Sequence, residues 1–283
     1  MIRSLPLILS RSLSYSKTQR APNACKASGE LLFGSDSVLS ALQSGKRSRF
    51  YRLLLLDHPN DATSSKAGRV REKLLHLAEQ RCIPIEYLPR SQMDSLSRQR
   101  TNNGIILDVE PIRPEAITSL PDPSLSERPP TWILLDQIVD PQNLGAILRS
   151  CSFFGVDGVL LCGRNSAPLS ATVAKASCGA LEYINIKLCH SMPRFLEGSQ
   201  SQWNIVGMAV GSNAIPFSDA LEQYKQSPII LVVGSEGTGL RPLVKDKCHV
   251  LAMLPKSPTA PIIIDSLNVS TALGIALYHL SAR

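Results

Sequence analysis

What most restricts the fold of this chain is an alternation in its C-terminal half. Between residues 131 and 283, apolar runs of strand length recur at Trp132–Leu135, Gly158–Cys162, Leu181–Ile186, Asn204–Val210, Ile229–Val233 and His249–Leu254. Stretches with helical spacing fall between or after them, at Asn143–Phe154, Ser170–Cys178, Pro193–Leu196 and Ser270–Leu280. Runs that are apolar throughout suit strands buried on both faces. Strands alternating with helices predict an α/β domain with a mostly parallel sheet. In such sheets ligands bind where loops leave the carboxyl ends of the strands. Attention therefore goes to the loops after Leu135, Val233 and Leu254.

Residues 30–110 read as a smaller α/β unit. "ELLFGSDSVLSALQSG" suggests a short strand, a Gly turn and a helix, and "RFYRLLLLDH" a buried strand. "AGRVREKLLHLAEQRC" has helical spacing, while "IPIEYL" and "GIILDVE" read as strands. Residues 111–130 are dense in Pro, Ser and Asp, which predicts a linker. Residues 1–29 hold Arg3, Arg11, Lys17, Arg20 and Lys26, no acid, and several serines and leucines, the composition of a mitochondrial transit peptide. A secretory signal is the rival, but its apolar core, Leu5–Leu9, is short and broken by Pro6.

The formal charge of +7 points to a nucleic-acid partner, but most of it sits in the leader. Beyond residue 29, 25 basic residues face 23 acidic ones, a net of +2. The seven cysteines form no C-x-x-C pair and no His stands at ligand spacing, so no metal is expected and the thiols read as reduced and mostly buried. No apolar run reaches the length of a bilayer span, so no membrane partner is expected.

The three loops carry unusual polar residues. In "DQIVDPQNLGAILRS", Asn143 and Arg149 lie a little under two helical turns apart; taken singly they read as a helix cap and a solvated helix residue. "IILVVGSEGTGL" runs a buried strand into Gly234, Glu236, Gly237 and Gly239. It lacks the order of a dinucleotide fingerprint and the Lys of a phosphate loop, which argues against a phosphotransferase. "DSLNVSTALGIALYHL" gathers Ser266, Asn268 and Ser270 before an apolar helix, more polar residues than one cap requires.

Together, Asp140–Arg149, Gly234–Gly239 and Ser266–Ser270 resemble the three signature motifs of SpoU-type RNA 2'-O-ribose methyltransferases of the SPOUT superfamily. The resemblance runs from about Glu30 to the C-terminus. It implies a trefoil-knotted methyltransferase domain at 131–283, preceded by an L30e-like RNA-binding domain at 30–110. It also implies S-adenosyl-L-methionine as methyl donor, contacted by Gly234, Leu254 and Leu267. The motif match places Arg149 beside the attacking 2'-oxygen, Asn143 and Asn268 on the loops and ribose, Ser270 on the substrate, and Glu236 either as proton acceptor or as a brace for the loop. Members of the family usually act as homodimers, with the last helix contributing. "RNSAPLSATVAKASCGALE" at Arg164–Glu182, with the leader, is most similar to members that methylate a guanosine of mitochondrial large-subunit rRNA, which implies a matrix location. The alternative is a non-catalytic RNA-binding ribosome-assembly factor on the same fold. Two departures stand out: "TNNG" at Thr101–Gly104 replaces a common H-Q-G, and Lys256–Asp265 is long and apolar. The cluster Lys46, Arg47, Arg49 and Arg52 reads either as a phosphate contact or as a solvated charge run.

Overall fold

The computed structural model describes residues 26–57, 66–211, 213–261, 263 and 266–281. The transit-peptide reading falls largely on residues 1–25, outside the described residues. Ser28 and Gly29, which the reading also included, donate their amides to the buried carboxylate of Asp108 at 2.9 and 2.8 Å.

The N-terminal unit contains β1 (Glu30–Phe33), α1 (Ser35–Ser44), β2 (Phe50–Leu56), α2 (Lys66–Gln80), β3 (Ile85–Leu88), α3 (Arg90–Leu96) and β4 (Ile105–Val109). Its sheet has the order β1-β4-β2-β3; β4 runs antiparallel to both neighbours and β2–β3 is parallel. Alternation along β2 sorts the core. Leu53 and Leu55 face α1 and α2, while Leu54 packs with Phe33, Met93 and Ile106 on the other side.

The C-terminal unit follows as β5 (Glu115–Ala116), β6 (Thr131–Asp136), α4 (Pro141–Phe153), β7 (Gly158–Cys162), α5 (Ala171–Ala176), β8 (Ile186–Cys189), α6 (Met192–Ser199), β9 (Asn204–Met208), β10 (Ile215–Pro216), α7 (Phe217–Gln223), β11 (Ile229–Gly234), α8 (Pro242–Lys245), β12 (Val250–Met253) and α9 (Val269–Ser281). Its eight-stranded sheet has the order β10-β12-β9-β11-β6-β7-β8-β5, and every pairing is parallel. The expected architecture is therefore observed. β6, β7 and β11 are buried at every residue, as strands covered on both faces must be. Ile133, Leu135, Leu231 and Val233 point toward α4 and α9, whereas Trp132, Leu134, Ile230 and Val232 point toward α6 and α8.

Three expectations shift. A strand was expected at Leu181–Ile186, but Ala180–Glu182 forms a 3-10 turn and β8 starts only at Ile186. Gly179 enters that turn at φ 84°, and Glu182 is turned inward to meet Arg47. Within the stretch read as a linker, Glu115–Ala116 pairs with β8 as the last strand of the large sheet, and Leu120 is buried in its core. The thiols divide rather than hide: Cys151, Cys162 and Cys189 are buried, Cys248 is partly so, and Cys82 and Cys178 are exposed.

The two units meet through a buried ion pair. The Arg47 guanidinium donates to Glu182 Oε1 from Nη2 at 2.7 Å and from Nε at 2.9 Å, and to Glu30 at 3.1 Å; the Arg47 and Glu182 side chains have no solvent exposure. Lys46 Nζ caps the carbonyls of Leu181 and Ile184 at 2.9 and 2.6 Å.

Candidate active site

The first loop leaves β6 at Asp136, a fully buried carboxylate at the end of an apolar strand. Gln137 then takes a left-handed φ of 62°, which turns the chain toward α4. Asp140 caps α4 by accepting the Gln142 amide at 2.9 Å, and Pro141 occupies the first helical position. Asn143 is therefore not the cap, and its side chain is free to reach elsewhere. Gly145 lets α5 come close, since a Cβ there would stand 2.4 Å from the Ala176 Cβ and 3.0 Å from the Ser177 amide.

The second loop leaves β11 at Gly234. Ser235 and Gly239 form an antiparallel bridge, closed by the Gly239 amide on the Ser235 carbonyl at 2.9 Å. The turn folds so tightly that a Cβ on Gly234 would lie 2.2 Å from the Gly239 carbonyl carbon. Gly237 and Gly239, by contrast, have open space where a side chain would be. Gly234→Ala should push the two arms of the turn apart, lowering stability by about 1–3 kcal/mol. Thermal denaturation checks this; an unchanged melting temperature contradicts it. After the turn, Arg241 returns to Asp136, donating Nε at 2.8 Å and its backbone amide at 3.1 Å. This pair ties the second loop to the first.

The third loop, after β12, brings Asn268 to the start of α9. Its Oδ1 accepts the Ser270 amide at 3.0 Å, the Thr271 amide at 3.3 Å and the Ser270 hydroxyl at 2.6 Å, which makes Asn268 the cap of that helix. Its amide nitrogen is then left to point across the site. It donates to Asn143 Oδ1 at 3.0 Å and to Glu236 Oε1. The same Glu236 oxygen accepts Asn143 Nδ2 at 3.0 Å and the Val269 amide at 3.3 Å. Three loops separated by 93 and 125 residues thus close on one carboxylate oxygen.

Of the residues anticipated at the site, Asn143, Glu236 and Asn268 are brought together directly, and Ser270 joins through Asn268. Arg149 lies outside this hydrogen-bonded group. It is exposed on α4, and Nη1 donates to Cys178 Sγ at 3.2 Å, its only hydrogen bond among the described residues. A thiol is a weak, neutral acceptor, so the contact positions the guanidinium without cancelling its charge. Gly234 is a structural hinge, Leu254 packs partly into the core, and Leu267 stays 48% exposed beside Asn268. Three residues carry weight that their sequence setting hides. Asp136 passes as the polar end of a strand, Arg241 as a residue after a Gly-rich loop, and Cys178 as one thiol among seven.

The basic cluster is corrected. Arg47 is consumed by Glu182 and Glu30, Lys46 by backbone carbonyls, and Arg52 by Asp108 and Glu86 at 3.3 and 3.4 Å. Arg49 is exposed and stacked 5.2 Å from the Tyr51 ring centre, with no ion-pair partner among the described residues. These cations hold the fold, because the strand turns bring acids from distant segments against them. Among the described residues, no group of three or more His, Cys, Asp or Glu side chains could hold a metal, and no helix is long and apolar enough to cross a membrane.

Residues 130–278, from β6 through most of α9, match the model of the SpoU rRNA Methylase family. The chain belongs to that family. Residues 31–115 match the model for RNA 2'-O ribose methyltransferase substrate binding, so the small unit has its counterpart too. Among relatives of this SpoU chain is the human protein named rRNA methyltransferase 1, mitochondrial, 36% identical over 90% of this chain and 73% of its own length. Another is the 23S rRNA (guanosine-2'-O-)-methyltransferase RlmB of Escherichia coli, 32% identical over 88% of this chain and 97% of its own. The fold is shared with the AdoMet-bound rRNA methyltransferase of Sinorhizobium meliloti, with a TM-score of 0.70 at 21% identity over 89% of this chain and 87% of that one.

Proposed function

We propose that this SpoU-family chain transfers a methyl group from S-adenosylmethionine to the 2'-oxygen of a guanosine in mitochondrial large-subunit rRNA. The observation that carries this reading is the closure of Asn143, Glu236 and Asn268 on one another at the carboxyl ends of β6 and β11. The residues suit the methyl donor. Gly237 and Gly239 leave an open backbone cradle, and Leu254 and Leu267 supply apolar walls for an adenine ring. When bound, S-adenosylmethionine contributes a methyl group already activated by the sulfonium charge.

What remains for the protein is the acceptor. A ribose hydroxyl is a weak nucleophile at neutral pH and must be aligned and have its developing charge stabilised; alignment alone is worth roughly 7–11 kcal/mol in well-oriented systems. Asn143 and Asn268, locked to Glu236, fix the walls of the site. Arg149 extends a guanidinium that retains its charge and stabilises the forming oxyanion; it is not the base, since a guanidinium does not give up its proton in proteins. The proton passes to an RNA phosphate or to the second Glu236 oxygen, because the first already accepts three N–H groups. Ser270, hydrogen-bonded to Asn268, orients the ribose once substrate displaces that contact. The chain leaves β12, next to the β10 edge of the sheet, and Asn268 then meets Asn143 and Glu236 beyond β6 and β11, which supports a trefoil crossing.

The mitochondrial assignment draws on the leader composition and on the names of relatives. Depleting the protein and mapping 2'-O-methyl groups on mitochondrial rRNA should remove one guanosine mark from the large subunit; an unchanged map contradicts the substrate. Deleting residues 1–29 from a fluorescent fusion should abolish matrix import, and unchanged import rejects the transit reading.

The homodimer has support in the apolar groups left on the α4 and α9 surfaces: Phe153 is 82% exposed, Tyr278 65% and Ile275 38%. Light scattering should give about twice the 30.8 kDa chain mass, and Phe153→Asp with Tyr278→Asp should halve it. A monomeric wild type contradicts this.

A further inference from the structure

The seam between the two units has a second side, opposite in character to the neutralised one at Arg47. Along α5 and the turn that follows it, Thr172, Lys175 and Cys178 recur at intervals of three residues, and each meets or supplies a cation. Arg100, from the loop before β4, donates Nη1 to Thr172 Oγ1 at 2.5 Å. Lys175 donates Nζ to the Thr101 carbonyl of the same loop. Cys178 holds Arg149. Arg100 and Lys175 also share one aromatic ring: the guanidinium carbon lies 6.0 Å and the ammonium 5.4 Å from the Phe33 ring centre.

Packing two cations on one ring brings like charges together, yet no described carboxylate lies within ion-pair distance of Arg100, Lys175 or Arg149. Elsewhere the chain behaves differently. Arg47, Arg52, Arg128 and Arg241 each hold a carboxylate within 3.4 Å. The loop that presents Arg100 is also braced from within. Asn102, 1% exposed, braces it by donating to Asp94 and Ser97 at 3.0 Å and accepting the Gly104 amide at 2.8 Å. Arg98, Gln99 and Asn103 around it take left-handed φ values of 52°, 60° and 54°. That is a conformation non-glycine residues adopt at a cost and one that gathers at ligand sites.

We infer that Arg100 and Lys175 form an RNA-phosphate contact spanning the two units, and that with Arg149 they make a row along which the substrate backbone runs to the reacting ribose. The inference rests on the RNA-methyltransferase reading and adds the path of the strand. From Thr172 to Ala176 the helix rises about 6 Å, and the turn after it carries the row on to Cys178. Phosphate contacts of this kind set register and affinity without reading bases.

The test is the salt dependence of binding to a transcript of mitochondrial large-subunit rRNA. Arg100→Gln and Lys175→Gln should each reduce the slope of log affinity against log salt by about 1, and the double variant by about 2. Affinity for S-adenosylmethionine and the melting temperature should stay near wild type, and turnover at saturating RNA should persist. Lys247→Gln, whose lysine pairs with Glu197 at 2.9 Å, is the control and should leave the slope unchanged. A double variant with the wild-type slope overturns the inference while the enzyme reading stands. A wild type that binds the transcript with the expected slope but transfers no methyl group overturns the enzyme reading and leaves the phosphate row intact.

Discussion

Arg149→Ala should lower methyl transfer about 10²–10³-fold, the usual consequence of removing one donor that acts mainly in the transition state. Affinity for S-adenosylmethionine should scarcely change. The reason is geometric. Asn143, Glu236 and Asn268 secure one another through hydrogen bonds that do not involve Arg149. The guanidinium's only described contact is the Cys178 thiol at 3.2 Å, so its loss leaves no buried group unpaired and the helices around it intact. Arg241 makes the contrast plain. It is fixed by the fully buried Asp136 through Nε and its backbone amide, so it serves structure. A cation held by a neutral sulfur is available to a charge that forms later. Single-turnover rates at saturating donor, with calorimetric titration of the same variant, check this; near-wild-type turnover removes Arg149 from the mechanism.

Breaking the buried pair between the units should have the largest effect on stability. Arg47 and Glu182 are both without side-chain exposure; removing Arg47 leaves Glu182 without its ion-pair partner, and removing Glu182 leaves Arg47 only Glu30. Arg47→Ala or Glu182→Ala should each cost about 3–5 kcal/mol, which at about 2–4 °C per kcal/mol is a fall in melting temperature of roughly 6–20 °C. The burial that makes the pair sensitive also bears on its third member: burial raises the Glu30 pKa, against the opposing pull of Arg47. Replacing both partners by apolar residues of similar volume, Arg47→Met with Glu182→Leu, should recover part of the loss, since neither of the two charges then has to be desolvated while Glu30 still loses its partner. A double variant as unstable as the singles would mean that shape, not charge, holds the seam.

Those two predictions mark what could be read from residue order and what could not. The strands at Gly158–Cys162, Ile229–Gly234 and Thr131–Asp136 were legible because burial on both faces writes an unbroken apolar run. The strand expected at Leu181–Ile186 was not, because Glu182 answers to Arg47, 135 residues away. The same long-range pairing makes three of the four cations at Lys46–Arg52 fold-holding groups, where residue order left a phosphate contact and a solvated charge run both open. At the site, Asn143, Glu236 and Asn268 each had an ordinary local explanation. Only the combination of three motifs, through family resemblance, indicated that they meet. The phosphate row at Arg100 and Lys175 left no such trace. Its defining property, that no described carboxylate stands within ion-pair distance, is one that only the packed chain reveals.

Three loops that make one site for methyl transfer to a ribose oxygen leave a chemical signature in the product. The protein is incubated with labelled S-adenosylmethionine and mitochondrial large-subunit rRNA, and the RNA is then hydrolysed in alkali. A methylated 2'-oxygen cannot attack its neighbouring phosphate, so label should appear in an alkali-resistant dinucleotide beginning with guanosine. Label in mononucleotides, or no label with the wild-type protein, would contradict it.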